Sequence, residues 1–147
     1  MPRLLQVCNV GRIVGGTGAC AWTVTRALPE FEHRVLFLSR PDAETAAAFA
    51  PVAIGYQSVL TDGVVERFRP DVVLLHNISR ARVSRTLSVP TLQYLHSAIS
   101  DPAEADATVC CSHWLARRVG LAAEQVLWQG VPRPGAEEED WSMVGDR

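Results

Sequence analysis

Short apolar runs alternate with longer amphipathic ones along nearly the whole chain, and that alternation limits the folds open to it. LLQVC (4–8), RVLFLS (34–39), VAIGY (52–56), VVLLHN (72–77), TLQYLHS (91–97), ATVCCS (107–112) and QVLWQG (125–130) read as strands. TGACAWTVTRAL (17–28), DAETAAAFA (42–50), SVLTDGVVERF (58–68), SRARVSRTL (79–87) and SHWLARRVG (112–120) read as helices between them. Thr17, Asp42 and Ser112 stand where N-caps belong, Pro51 stops the second helix, and Gly120 follows the last one. Apolar strands joined by helices need a parallel sheet covered on both faces. The expected fold is α/β, a Rossmann-like doubly wound parallel sheet with helices on both faces.

One such domain accounts for residues 1–133, and PGAEEEDWSMVGDR (134–147) is acidic without apolar period, an expected tail or linker remnant. The net charge is −2, against the basic balance of a nucleic-acid binder. Every basic side chain is arginine, so no mechanism can draw on a lysine of this chain. MPRLLQVCNVGR is too briefly apolar for a signal peptide, and no run approaches the ~18–20 apolar residues of a membrane span. Cys8, Cys20, Cys110 and Cys111 form no C-x-x-C pair; buried free thiols and a cytoplasmic location are expected, with no structural zinc.

After the first strand comes CNVGRIVGGTGACAW (8–22), with Gly11, Gly15, Gly16 and Gly18. A glycine loop that opens a helix at the carboxyl end of a parallel strand can hold an anion on free amides. It can equally be a tight turn with no ligand. A nucleotide P-loop is excluded: Gly11 and Gly16 have the spacing, but Thr17 follows where lysine is required. A dinucleotide fingerprint is met in spacing by Gly16, Gly18 and Ala21, though several residues late, and the second strand ends in Ser39-Arg40 rather than an acid. Arg40 suits a 2′-phosphate, which keeps an NADP-binding oxidoreductase as an alternative. No serine has the flanking glycines of a nucleophile elbow.

His76 and His96 both fall at strand carboxyl ends, where they would face one crevice and orient a hydroxyl or phosphate, or serve as acid or base. A metal at this pair would need a third ligand such as Asp101, and no spacing demands one; no metal is expected. Arg80, Arg82 and Arg85 follow the His76-Asn77 strand and read either as recognition of an anionic acceptor or as a solvated helix face. His33 and His113 read as surface residues.

Taken in order, GRIVGGTG, EHRVLFLS, RPDVVLLHN, LQYLHS, ATVCCSHWLARRVG and VLWQGVP resemble the N-terminal domain of GT-B fold glycosyltransferases, in particular the family-4-like group. The resemblance covers residues 3 to about 133. It implies a single GT-B half-domain that binds mainly the acceptor, facing a second domain that binds the nucleotide sugar. It implies donor phosphate or sugar contacts at Gly15, Gly16, Thr17 and Gly18. It implies acceptor contacts at His76, Asn77, Arg80 and His96, with His96 nearest the reacting centre. The nucleotide sugar would be a co-substrate beside a sugar or lipid acceptor, and no other cofactor is implied. Two departures stand out. Gln129 replaces the frequent asparagine of the closing turn, and the family's two glutamates separated by seven residues occur nowhere. The chain thus reads as half an enzyme, inactive alone. It would work with a separate donor-domain chain, associate with itself through the cleft face, or survive as a non-catalytic interaction module.

Overall fold

The computed structural model describes residues 1–84, 87–132 and 141–143. Six strands form one all-parallel sheet: β1 (Arg3–Cys8), β2 (Glu32–Phe37), β3 (Ala53–Tyr56), β4 (Val72–His76), β5 (Thr91–Leu95) and β6 (Ala107–Cys110). Their order is β3-β2-β1-β4-β5-β6, the doubly wound Rossmann-like arrangement. The helices are α1 (Gly16–Ala27), α2 (Ala43–Phe49), α3 (Asp62–Phe68) and α4 (His113–Val119).

Alternation along the strands divides the core. Leu5, Val7, Leu36, Val73 and Leu75 point to one face, where Leu60, Phe68 and Ile78 cover them. Cys8, Val35 and Phe37 point to the other and meet Ala21 of α1 and Phe49 of α2. Phe37 and Phe49 pack edge to face, their ring centres 5.5 Å apart. The cysteines are free thiols, and only Cys111 is partly exposed. No helix among the described residues is long and apolar enough to cross a membrane.

Two caps follow the expected chemistry. Asp42 accepts from the Thr45 amide at 2.8 Å, and Ser112 accepts from the Leu115 amide at 3.1 Å. Gly120 ends α4 at φ 79°, a left-handed conformation that glycine takes without steric penalty. Ser112→Ala should cost about 1 kcal/mol in urea unfolding, the usual value of a lost N-cap.

Three segments depart from expectation. Thr17 is not the N-cap of α1; Gly15 holds that position at φ 124°, without a side-chain cap. Where a helix is expected over 79–87, the described residues form a single 3-10 turn at Arg80–Arg82. Leu60 donates to the Arg82 carbonyl and accepts from the Ser84 amide, so this segment and 58–60 lie extended against each other and α3 starts at Asp62. The strand expected over 125–130 is likewise absent from the sheet. Val126 makes one bridge to Cys110, and β7 (Gly130–Pro132) pairs antiparallel with β8 (Trp141–Met143). β8 lies within the expected acidic tail, whose residues 134–140 and 144–147 are outside the described residues, as is Arg85.

Candidate functional site

The carboxyl ends of β1 and β4 flank the point where strand order reverses, the usual ligand crevice of open parallel sheets. Register brings polar side chains together there. Cys8 is opposite His76, and His76 is opposite Tyr94. Gln6 lies two residues before Cys8 on the same face, and His96 immediately follows β5. Gln6 and His76 are fully buried.

These groups form a directed chain of hydrogen bonds. The Gln6 amide nitrogen donates to the Ala21 carbonyl at 3.1 Å, which turns Oε1 toward His76 Nε2 at 2.8 Å. An amide oxygen only accepts, so His76 carries its proton on Nε2 and its Nδ1 is an acceptor. Nδ1 lies 3.0 Å from His96 Nε2, which therefore donates. His96 Nδ1 then accepts from the Gln129 amide at 2.6 Å, and that amide also reaches the Gly16 carbonyl at 3.4 Å. Both imidazoles are neutral in this arrangement. Burial lowers the pKa of His76 to about 3, with the nearby His96 adding to the effect, and burial lowers that of His96 to about 4.

Asn77 fixes His96 from the backbone side. Its Oδ1 accepts from the His96 amide at 2.9 Å and the Ser97 amide at 3.3 Å, and its Nδ2 donates to Ser97 Oγ at 2.7 Å. Its φ of 59° is one that asparagine tolerates better than most residues. The amide expected to meet an acceptor is thus engaged in holding the loop after β5.

The glycine loop divides into two parts. Its first part is tied to the segment after β2: the Gly11 amide donates to Ser39 Oγ and the Ile13 amide to Thr45 Oγ1, both at 2.8 Å. Gly18 is buried beneath it, and Thr17 donates to Asn9 Oδ1 at 2.9 Å. Thr17 and Gly18 therefore hold the loop on α1 instead of facing the crevice. Gly15 and Gly16 are exposed at the helix start, and a Cβ on Gly16 would lie 4.0 Å from His96 Cβ. The first helical bond runs from the Ala19 amide to the Gly15 carbonyl, so the amides of Gly16, Thr17 and Gly18 precede it. The dinucleotide spacing of Gly16, Gly18 and Ala21 falls inside α1, beyond the turn that the fingerprint needs.

Other expected residues lie elsewhere. Arg80 bonds Asp101 at 3.0 Å and Glu104 at 3.3 Å on an exposed surface, so Asp101 is engaged there rather than at the histidines. Arg82 bonds the carbonyls of Ser58 and Leu38. His33 is half-buried with Nε2 2.7 Å from the Leu28 carbonyl, and His113 is half-buried against Trp128. Sequence reasoning missed Gln6, Cys20 and Tyr94 as neighbours of the histidine pair. A glutamine amid the apolar LLQVC was the available signal, because a buried amide needs partners.

Beside the pair, an apolar cavity of about 320 Å³ opens between α1 and the β4–β5 face. Val24, Leu28, Leu74, Leu92 and Leu127 line its body, and Cys20, His76, Tyr94 and Gln129 also border it. Cys20, His76 and His96 offer one sulfur and two nitrogens within 4.8 Å of one another, the described residues best placed to hold a metal. No family model, curated protein or solved structure matches this chain.

Proposed function

We propose that the chain is the acceptor-binding half of a nucleotide-sugar-dependent glycosyltransferase, acting in the cytoplasm together with a donor-binding domain. The observation that carries this reading is the exposed Gly15-Gly16 start of α1, whose Gly16 lies beside His96 at the switch-point crevice. Amides at a helix start favour the negative charge that develops on a departing diphosphate. His96 would meet the acceptor hydroxyl through Nδ1 once Gln129 swings away, while His76 and Gln6 keep the ring in the required tautomer. The adjoining cavity has the size of a small-ligand site and suits an acceptor with an apolar portion.

The test is titration of the isotope-labelled chain with nucleotide sugars, alkyl glycosides and NADPH, combined with a transfer assay. Alkyl glycosides should shift the Gly16 and His96 amide resonances, with affinity at least tenfold lower in His96→Ala, and the chain alone should transfer no sugar. Turnover by the chain alone would overturn the half-enzyme reading. NADPH binding weakened by Arg40→Ala, without glycoside binding, would replace it with the oxidoreductase reading.

A further inference from the structure

We infer that Cys20, His76 and His96 form a binding site for a zinc-like divalent transition-metal ion, with an open coordination position toward the apolar cavity. This inference does not rest on glycosyl transfer: the metal takes His96 protonated on Nδ1 and the acceptor takes it protonated on Nε2, so the two uses of that ring exclude each other. The three donor atoms come from α1, the end of β4 and the residue after β5, so the sheet's topology assembles them from distant parts of the chain. A thiolate with two imidazoles is a donor set that suits zinc, and three protein ligands leave a fourth position free.

The two nitrogens need little change, while the Cys20 sulfur, within 4.8 Å of both, closes to the roughly 3.6 Å that a zinc at about 2.3 Å from sulfur requires. His76 Nδ1 and His96 Nε2 are 3.0 Å apart, and two nitrogens on a tetrahedral zinc at roughly 2.0–2.1 Å lie about 3.3 Å from each other. His76 is already in the ligating tautomer. Gln6 accepts from its Nε2–H, so the Nδ1 lone pair points into the cluster, an orientation that outer partners commonly impose on metal-binding histidines. His96 must shift its proton from Nε2 to Nδ1. Gln129, 2.6 Å from that Nδ1, can accept a hydrogen bond from the new Nδ1–H by turning its amide so that Oε1 replaces Nε2. Each ring then has one nitrogen on the metal and the other on a glutamine. Cys20 and His76 both border the cavity, which gives the open position its direction.

Binding forms one metal–sulfur and two metal–nitrogen bonds. It breaks the Cys20 S–H bond, and that proton leaves to solvent. The histidines, already neutral, release none. Filling the site therefore liberates one proton per ion from the protein's ligands.

Titration of the metal-stripped chain with Co²⁺ and then Zn²⁺ tests the site. Cobalt should give a thiolate-to-metal charge-transfer band and tetrahedral d–d bands at one equivalent, and zinc should displace it. Cys20→Ser should remove the charge-transfer band, and His96→Ala should weaken binding by more than about a hundredfold, since losing even an outer partner costs ten- to a hundredfold. Cys110→Ser, which alters a buried thiol outside the cluster, should leave spectrum and affinity unchanged. Gln6→Leu should weaken binding by about ten- to a hundredfold. Thermal melts of each variant in chelator check that it is folded; an unfolded variant is replaced by X-ray absorption on the wild type, where one sulfur and two nitrogens are expected. A cobalt spectrum without a sulfur band, a band that persists in folded Cys20→Ser, or an absorption spectrum without that sulfur would overturn the site.

Discussion

Gly18→Ala should destabilise the protein by about 2–3 kcal/mol in urea unfolding, in the upper range for forced overpacking. A Cβ at Gly18 would sit 2.0 Å from the Arg12 carbonyl oxygen and 2.8 Å from its carbon. Both are backbone atoms, so no rotamer change relieves the clash. The loop cannot easily retreat, because Gly11 and Ile13 anchor it to Ser39 and Thr45 and Asn9 holds Thr17. Alanine's better helix propensity, about 1 kcal/mol over glycine, opposes only part of this loss. Gly16→Ala is the control. Its Cβ would have nothing nearer than His96 Cβ at 4.0 Å, and its stability should change by less than about 0.5 kcal/mol. Equal losses in the two variants would show that the loop does not approach α1 as closely as described. The contrast also separates the two glycines by role: Gly18 serves packing, whereas Gly16 is free to face a ligand.

The parts of the fold legible in the sequence are those decided by local pattern. VVLLHN is apolar on both faces because helices and loops cover both, and it forms β4 between β1 and β5. Asp42 and Ser112 cap their helices because a short acceptor followed by helical residues needs no tertiary help. SRARVSRTL carries an apparent helical pattern, yet that pattern loses to backbone pairing of Val83 with Leu60, a partner about twenty positions away in sequence. QVLWQG carries a strand's composition, yet past β6 it offers one bridge to the sheet and then leaves to pair with β8. The site was half legible. His76 and His96 announce themselves at strand ends, and the structure places them in direct contact. Cys20 gives no such signal: a cysteine in an amphipathic helix reads as a small hydrophobe, and only the turn of α1 over β4 brings its sulfur to the two rings.

In metal-free protein, stability should fall steeply as pH drops below about 6.5, and the histidine pair should dominate that fall. Unfolded histidine titrates near 6.5, while burial holds His76 near 3 and His96 near 4 in the folded chain. Between those values the unfolded state binds more protons than the folded one, so the free energy of unfolding rises with pH. The contribution is complete above the unfolded value and is lost as pH descends toward the folded ones. Each histidine gives a limiting slope of about 1.4 kcal/mol per pH unit, so two give at most ~2.7 between roughly pH 6 and 4. Cys20 and Tyr94, which also face the pair, do not add to this acid limb: burial raises both pKa values, Cys20 to about 12, so they stay protonated throughout. Burial is the main reason for the resistance to protonation, and the hydrogen-bond direction acts the same way. His76 Nδ1 already accepts from His96, and His96 Nδ1 already accepts from Gln129, so a proton added to either ring must break a bond and place a charge in the buried cluster. Urea unfolding from pH 8 to 4.5 in chelator measures the slope. His96→Gln should reduce it by about half, because one titrating ring is gone and an amide can still bridge His76 and Gln129. A wild-type slope no steeper than that of the variant would mean that these rings are already charged in the folded protein, and the directed chain from Ala21 to Gln129 would have to be abandoned.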